Sequence, residues 1–421
     1  MRRYESYKDS GVEWLGDVPS HWELGRISTY FTERRTKVSD KDYPALSVTK
    51  LGVFPQWENV AKTNDGDNRK LAKKGDFVIN SRSDRKGSSG IAKQDGSVSL
   101  INIVLQPKKI NSVYSEYLFK SYSFIEEFYR VGHGIVADLW TTRFEDIKNS
   151  LIIFPPLSEQ QKIAQFLDDK TAKIDQAVDL AEKQIALLKE HKQILIQNAV
   201  TRGLNPDVPL KDSGVEWIGQ VPEHWEVKQL KFEAHITLGK MLCTEYKCGF
   251  HLKPYLKSKN IQWLNVDTSS IDEMYFSSYE LALYKLEKGD LILSEGGEVG
   301  KTCMWNNELD ECYIQNSAHK VRLYKKNNNK YFLYLFFSCG HLGVFDSIVN
   351  RVSIAHLTKD KLENMKFIFP TLAEQTAIAD YLDKQTVKID QAIALKTAHI
   401  EKLKEYKSVL INDVVTGKVR V

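Results

Sequence analysis

The sequence predicts an α+β protein. Two α/β domains are separated by two long helices that form an antiparallel coiled coil, and the chain is built as an internal pseudo-two-fold repeat. Three observations lead there. Residues 155–203 open Pro-Pro-Leu-Ser-Glu-Gln and then run more than forty residues without a glycine or proline until Gly203. The same run returns 215 positions later, opening Pro370-Thr371-Leu372-Ala373-Glu374-Gln375. A second signature, Trp- and Gly-rich, recurs with a shift of 203. A period near 200 residues is a domain duplication, since solenoid repeats are far shorter.

The long run carries apolar or small residues in two heptad rows. One holds Ala164, Val178, Ile185 and Ala199, and the other Leu167, Ile174, Ala181, Leu188 and Leu195, with Thr171 and Lys192 as exceptions in the first row. Heptads sustained over this length describe a coiled-coil seam rather than one face of a globular helix. The helix is roughly 60 Å long at 1.5 Å per residue, too long for one small core. Ser158 with Gln161 reads as a capping box, and Glu159 sits near the positive end of the helix dipole. In the second copy the rows are Ala379, Ile393, Ile400 and Val414, and Leu382, Ile389, Leu403 and Leu410. The exceptions recur as Thr386 and Lys407, and Lys173-Ile174-Asp175-Gln176 returns as Lys388-Ile389-Asp390-Gln391. Matched stripes in one chain make each helix the most economical partner of the other, and a duplicated unit tends to pack about a two-fold.

The remaining elements follow in chain order. Residues 7–23 contain Trp14 and Trp22, and residues 210–226 contain Trp217 and Trp225, with thirteen of seventeen positions identical. Between signature and helix lie globular segments, roughly 24–154 and 227–369, much less alike than their flanks. Lys74-Gly75-Asp76-Phe77-Val78-Ile79 and Lys288-Gly289-Asp290-Leu291-Ile292-Leu293 each read as a turn entering a strand, followed by Gly/Ser-rich loops at 81–90 and 294–300. Aromatic helical stretches at 114–128 and 331–345 come next, then strand-like runs at 147–154 and 362–369. Residues 201–210 (Thr-Arg-Gly-Leu-Asn-Pro-Asp-Val-Pro-Leu) join the copies. The expected division is 1–154, the first α/β domain; 155–203, the first long helix; 204–369, linker, signature and second domain; and 370–421, the second long helix with its tail.

Composition narrows the class. A net charge of +4 is only mildly basic, and all five cysteines fall in the second half, so no disulfide framework spans the chain. No run approaches 18 apolar residues and the N-terminal stretch has no apolar core, so neither secretion nor membrane insertion is expected; a cytoplasmic location is.

A rigid pair of rods carrying two unlike domains is how dimeric readers address two half-sites on one duplex. The local charges fit that reading. Between Lys62 and Lys93 nine basic residues face four acidic ones, and Lys70, Lys73, Lys74, Arg82, Arg85 and Lys86 are candidate DNA contacts there. In the second copy the candidates are Lys301, Gln315, Asn316, His319 and Lys320, with Asn and Gln suited to pairing bidentately with adenine. The returns toward the long helices add Arg130, His133 and Arg143, and Arg351. The bland alternatives are a solvated basic loop, ordinary strand-edge polar residues, and structural His or Arg. Gly296-Gly297-Glu298-Val299-Gly300-Lys301-Thr302 resembles a phosphate-binding loop, but Glu295 stands where that motif needs glycine and no helix is expected to follow. Cys243 and Cys248 lack a second pair at zinc-ligand spacing. Asn205-Pro206-Asp207-Val208 only faintly matches the Asn-Pro-Pro-aromatic motif of amino-methyltransferases. The sequence offers no nucleophile–base pair, metal cluster or cofactor loop.

These residues resemble a known family. The paired Trp14/Trp22 and Trp217/Trp225 signatures, the Pro-Leu-Ser-Glu-Gln and Thr-Leu-Ala-Glu-Gln helix starts, and the Val200-Thr201-Arg202-Gly203 and Val415-Thr416-Gly417-Lys418 helix ends look like the specificity subunit of Type I restriction-modification enzymes. The resemblance covers nearly the whole chain. It implies two target-recognition domains, each reading half of a bipartite asymmetric site in double-stranded DNA, and helices that act as a ruler for the gap between halves. It implies partners too: two methylation subunits and restriction subunits. S-adenosylmethionine, ATP and Mg2+ are expected on those partners and no cofactor in this chain, which would itself be non-catalytic. Recognition domains diverge in this family, so the resemblance transfers no contact residue. Two other readings remain at this point. One is a coiled-coil adaptor that binds protein, and the other is a single-chain methyltransferase or nucleotide-driven nuclease, which lacks a catalytic constellation.

Overall fold

The computed structural model describes residues 2–56, 66–134, 140–348 and 356–421. It resolves into two compact units, Met1–Glu182 with Thr397–Val421, and Lys183–Lys396. Each therefore contains part of both long helices, Leu157–Arg202 and Leu372–Val415.

In both units the sheet that carries the domain has the same strand order. In unit one it runs Ser89–Ile91, Phe77–Asn80, Asn102–Pro107, Phe31–Glu33, all antiparallel. In unit two it runs Thr302–Met304, Leu291–Ser294, Ala318–Leu323, Ala234–Leu238. The central strands Phe77–Asn80 and Leu291–Ser294 are buried at every position, because both faces of the sheet are covered. Phe77 and Ile79 pack on Leu118, Phe119, Phe124 and Phe128, while Val78 faces Leu46, Val53, Ala72 and Val98. That explains continuous apolar runs in place of alternation. The turns entering these strands need left-handed backbone at Gly75 (φ 92°) and Gly289 (φ 95°). Asp76 and Asp290 then tie each turn back by accepting from Lys73 N and Glu287 N, at 2.9 and 2.8 Å.

The aromatic stretches are helical but broken. Ser112–Lys120 is followed by Tyr122–Arg130, with the Ser121 hydroxyl accepting from Phe124 N, and Asn329–His341 is followed by Val344–Ile348. The runs back to the long helices are strands only at Leu151–Phe154 and Lys366–Phe369, because Ile147 and Leu362 lie in short helical turns. These strands pair with Glu23–Arg26 and Glu226–Gln229, just after each signature.

The signatures fold as tight hairpins, Tyr7–Asp9 on Asp17–Pro19 and Leu210–Asp212 on Gln220–Pro222. Trp22 and Trp225 are fully buried behind them. Each indole N–H donates to a glutamate in the first turn of the long helix that follows, Glu159 or Glu374, both at 3.1 Å, and His21 or His224 bonds the same carboxylate. In unit one the Trp22 ring also abuts Gly417, which closes the second long helix; in unit two Trp225 abuts Gly203, which closes the first.

All positions of both heptad rows are buried or half-buried. In unit two the pairs Gln184–Lys396 and Lys192–Asp390 ascend one helix while descending the other, so the helices are antiparallel. The polar exceptions in the stripe have partners. Thr171 and Thr386 each lie 3.2 Å from a tyrosine hydroxyl of their own domain, Tyr117 and Tyr334. Lys192 bonds both oxygens of Asp390, and in unit one Lys407 bonds both oxygens of Asp175, the same contact in copy. The expected capping box at Ser158 does not form. The first helix begins at Leu157, Pro156 O accepts from Glu159 N and Gln160 N, and Ser158 sits exposed within the first turn. The second helix does have such a box, formed by Thr371 with Glu374.

Candidate nucleic-acid interface

One end of the unit-one sheet opens into a cleft of about 540 Å³. Arg35, Lys37, Lys70 and Arg143 line it, with Glu33 and Glu145 as the acidic members and Leu100, Ile101, Thr141 and Phe144 between them. Three segments distant in sequence build this rim. Ser81 N donates to Ile101 O (3.3 Å), Thr142 N to Ser81 O (2.9 Å), and Ser83 N to Trp140 O (2.9 Å). The strand-end loop, the turn at 99–102 and the return segment are thereby zipped together. Lys70 Nζ crosses beneath to Asn102 O at 2.8 Å, and Glu33 holds both Lys70 and Arg35. Glu145 also reaches Arg35, at 3.0 Å, and Lys37 and Arg143 have no ion-pair partner among the described residues.

The sequence candidates divide accordingly. Lys70 and Arg143 line the cleft, while Arg82 and His133 are bridged to Thr141 beside it. Arg82 and Arg85 both reach Asp84, and His133 lies 3.5 Å from Asp146. Lys73 and Lys74 are exposed at the opposite end of strand Phe77–Asn80, away from the rim. Lys86 pairs with Glu126, and Arg130 with Glu127. In unit two, Gln315 and Asn316 occupy the turn that enters strand Ala318–Leu323. Ser317 N and Oγ both donate to Gln315 Oε1, and Gln315 Nε2 donates to Asn316 Oδ1. Lys301 pairs with Glu298. His319 and Lys320 face the interior: His319 Nε2 bonds Leu357 O at 2.5 Å, and Lys320 Nζ donates to Leu283 O and Lys285 O. Burial lowers the pKa of both groups, as it must for cations removed from water. Arg351, with Asn350 and Ser353 of the same return segment, lies outside the described residues.

Sequence reasoning missed Arg35, Lys37, Leu100 and Ile101. The one signal for the two apolar residues was their position just before Asn102, matching Asn316-Ser317 before Ala318. The glycine-rich loop after Ser294 leads into strand Thr302–Met304, a hairpin connection rather than a phosphate-binding turn before a helix.

The profile of the Type I restriction modification DNA specificity domain matches residues 19–189 and again 222–405. The chain belongs to that family. Among its relatives, the Type I restriction enzyme MjaVIII specificity subunit of Methanocaldococcus jannaschii is 26% identical over 96% of this chain and 94% of its own. The Type I restriction enzyme EcoKI specificity subunit of Escherichia coli K12 is 28% identical over 34% of this chain and 29% of its own. The fold recurs in solved structures. A chain from a study of complex assembly and conformational transition of the type I R-M system superposes with a TM-score of 0.71 at 16% identity, covering 96% of this chain and 99% of that one. The HsdS subunit from Thermoanaerobacter tengcongensis gives 0.56 at 17%, covering 96% and 98%. Among the described residues of this specificity-family chain, no group of three or more His, Cys, Asp or Glu could hold a metal ion, and no helix is long and apolar enough to cross a membrane.

Proposed function

We propose that this chain is the DNA-reading subunit of a Type I restriction-modification complex. Residues 1–154 and 204–369 each supply the reader of one half of a bipartite asymmetric site. Two methylation subunits and restriction subunits join it. Adenine methylation and ATP-dependent cleavage, with S-adenosylmethionine, ATP and Mg2+, reside on those partners, and this chain supplies recognition alone. The observation that carries the reading is the basic cleft of unit one, built on a sheet whose strand order unit two repeats with different side chains at the rim. Lys37 and Arg143, which have no ion-pair partner among the described residues, suit phosphates flanking a groove, and divergent rims on one scaffold suit unlike half-sites. The cytoplasm is where such a complex meets DNA. The test is to express the chain with its methylation subunits and map methylated adenines. Exchanging residues 24–154 for those of a relative should change one half-site and leave the other. A chimera that alters both halves or neither refutes the assignment.

A further inference from the structure

Hydrogen bonding shows that the turn at 99–102 and the turn at 315–318 are one element in two copies. Asn102 N donates to Ser99 O and Ala318 N to Gln315 O, each at 3.0 Å. Ser81 N donates to Ile101 O, and Glu295 N to Ser317 O. In both cases the turn follows the strand-end loop and opens the longest strand of the sheet. Its chemistry is opposite in the two units. Unit two has the half-buried Asn316 and Ser317, the latter's hydroxyl bonded to Ser258 N and Gln315, where unit one has the exposed Leu100 and Ile101.

Leu100 is 37% and Ile101 42% exposed. Scattered exposed aliphatics need no explanation. These two are adjacent, fixed by backbone bonds at the end of a sheet, and set in one cleft with Lys37 and Arg143 and with Arg35 and Lys70, which Glu33 and Glu145 pair. An apolar protein partner would have to bury the Lys37 and Arg143 charges along with them. A duplex satisfies both features, because its phosphates meet the cations while thymine offers the one apolar group on a major-groove edge.

We infer that Leu100 and Ile101 read thymine by packing on its C5-methyl group, and that the matching turn of unit two reads a base through the Asn316 amide. Gln315, whose amide is held by Ser317 and Asn316, positions that side chain rather than contacting the base. The inference rests on the DNA-reading role proposed above and names a determinant within it.

The test uses the full chain with its methylation subunits and duplexes carrying the mapped site, with each thymine replaced singly by deoxyuridine. In the half-site assigned to residues 24–154, at least one replacement should weaken binding about fourfold, the effect of one methyl group left unburied. Leu100→Ala with Ile101→Ala should abolish that sensitivity while recognition of the other half-site persists, which also shows that the variant is folded. Leu100→Asn with Ile101→Ser should change the preferred base at that position. A unit-one half-site without thymine, or one indifferent to every uracil, overturns the inference while leaving DNA reading intact. Complexes with no sequence selectivity at all overturn both. Loss of methylation-subunit assembly in the alanine variant, without any uracil effect, would place the turn in a protein interface and overturn it too.

Discussion

Replacing Gln160 by leucine tests whether the long helices are joined to their domains by hydrogen bonds that nothing else can make. Gln160 is 3% exposed in the first turn of the first long helix. Its Nε2 donates to Pro155 O at 2.8 Å, and its Oε1 accepts from Asn111 N at 2.9 Å, the residue that caps helix Ser112–Lys120. Leucine fills nearly the same volume but leaves the buried Pro155 carbonyl and the half-buried Asn111 amide unsatisfied. Each orphaned group costs about 1–3 kcal/mol, and the two together should cost roughly 2–4 kcal/mol after local relaxation. For a unit of about 200 residues that corresponds to a melting point lower by roughly 5–12 °C. Urea unfolding and calorimetry of the full chain would measure it. Gln375→Leu should cost at least as much in unit two, because Gln375 makes the same bonds to Pro370 O and Asn328 N and a further one to Asn327 Oδ1. Exposed Gln165→Leu should stay within about 0.5 kcal/mol. A loss below about 1 kcal/mol for Gln160→Leu would show that water or backbone adjustment satisfies these groups, and the argument would fail.

Other outcomes follow from the same contacts. Lys192→Glu should destabilise unit two and Lys192→Glu with Asp390→Lys should recover most of the loss; a double-mutant cycle should give a coupling of about 0.2–1 kcal/mol for this partly exposed pair. Gly417→Ala should cost more than Gly203→Ala, both seen as melting-point shifts. Each forces alanine into left-handed backbone, but the added carbon meets Pro19 at 2.4 Å in the first case and only Trp225, at 3.2 Å, in the second. Burial opposes ionisation of Glu374, but the hydrogen bonds it accepts from Trp225, His224 and Thr371 more than offset this and hold its pKa below the ordinary glutamate value. A depressed folded-state pKa contributes stability that is present above the ordinary value, about 4.3, and is lost as pH falls through the lowered one. Glu374→Gln should therefore be less stable near neutrality and show a shallower acid limb in urea titrations. Arg143→Ala should reduce the salt slope of DNA binding by about one, whereas Lys320→Met should change stability without touching that slope.

By itself the sequence determined that one unit is written twice, that two long helices carry matched stripes, and which residues of those stripes lie inside. Periodicity records burial directly, because a helix returns the same face every 3.6 residues whatever packs against it. The repeated signature was legible because its residues recur in both copies, and the structure gives each copy the same hairpin and the same indole–glutamate bond. The cleft rim was legible only in part, through Lys70 and Arg143. His319 and Lys320 look like surface cations, yet they lie inside because backbone carbonyls from distant segments receive them. Leu100 and Ile101 are apolar yet stand exposed at a cleft, because they lie in the turn that precedes the strand Asn102–Pro107. Thr171 and Lys192 look like flaws in a stripe until Tyr117 and Asp390 are brought opposite them. Whether a polar group is inside or outside depends on partners tens or hundreds of residues away, and only the folded chain brings those partners within hydrogen-bonding reach.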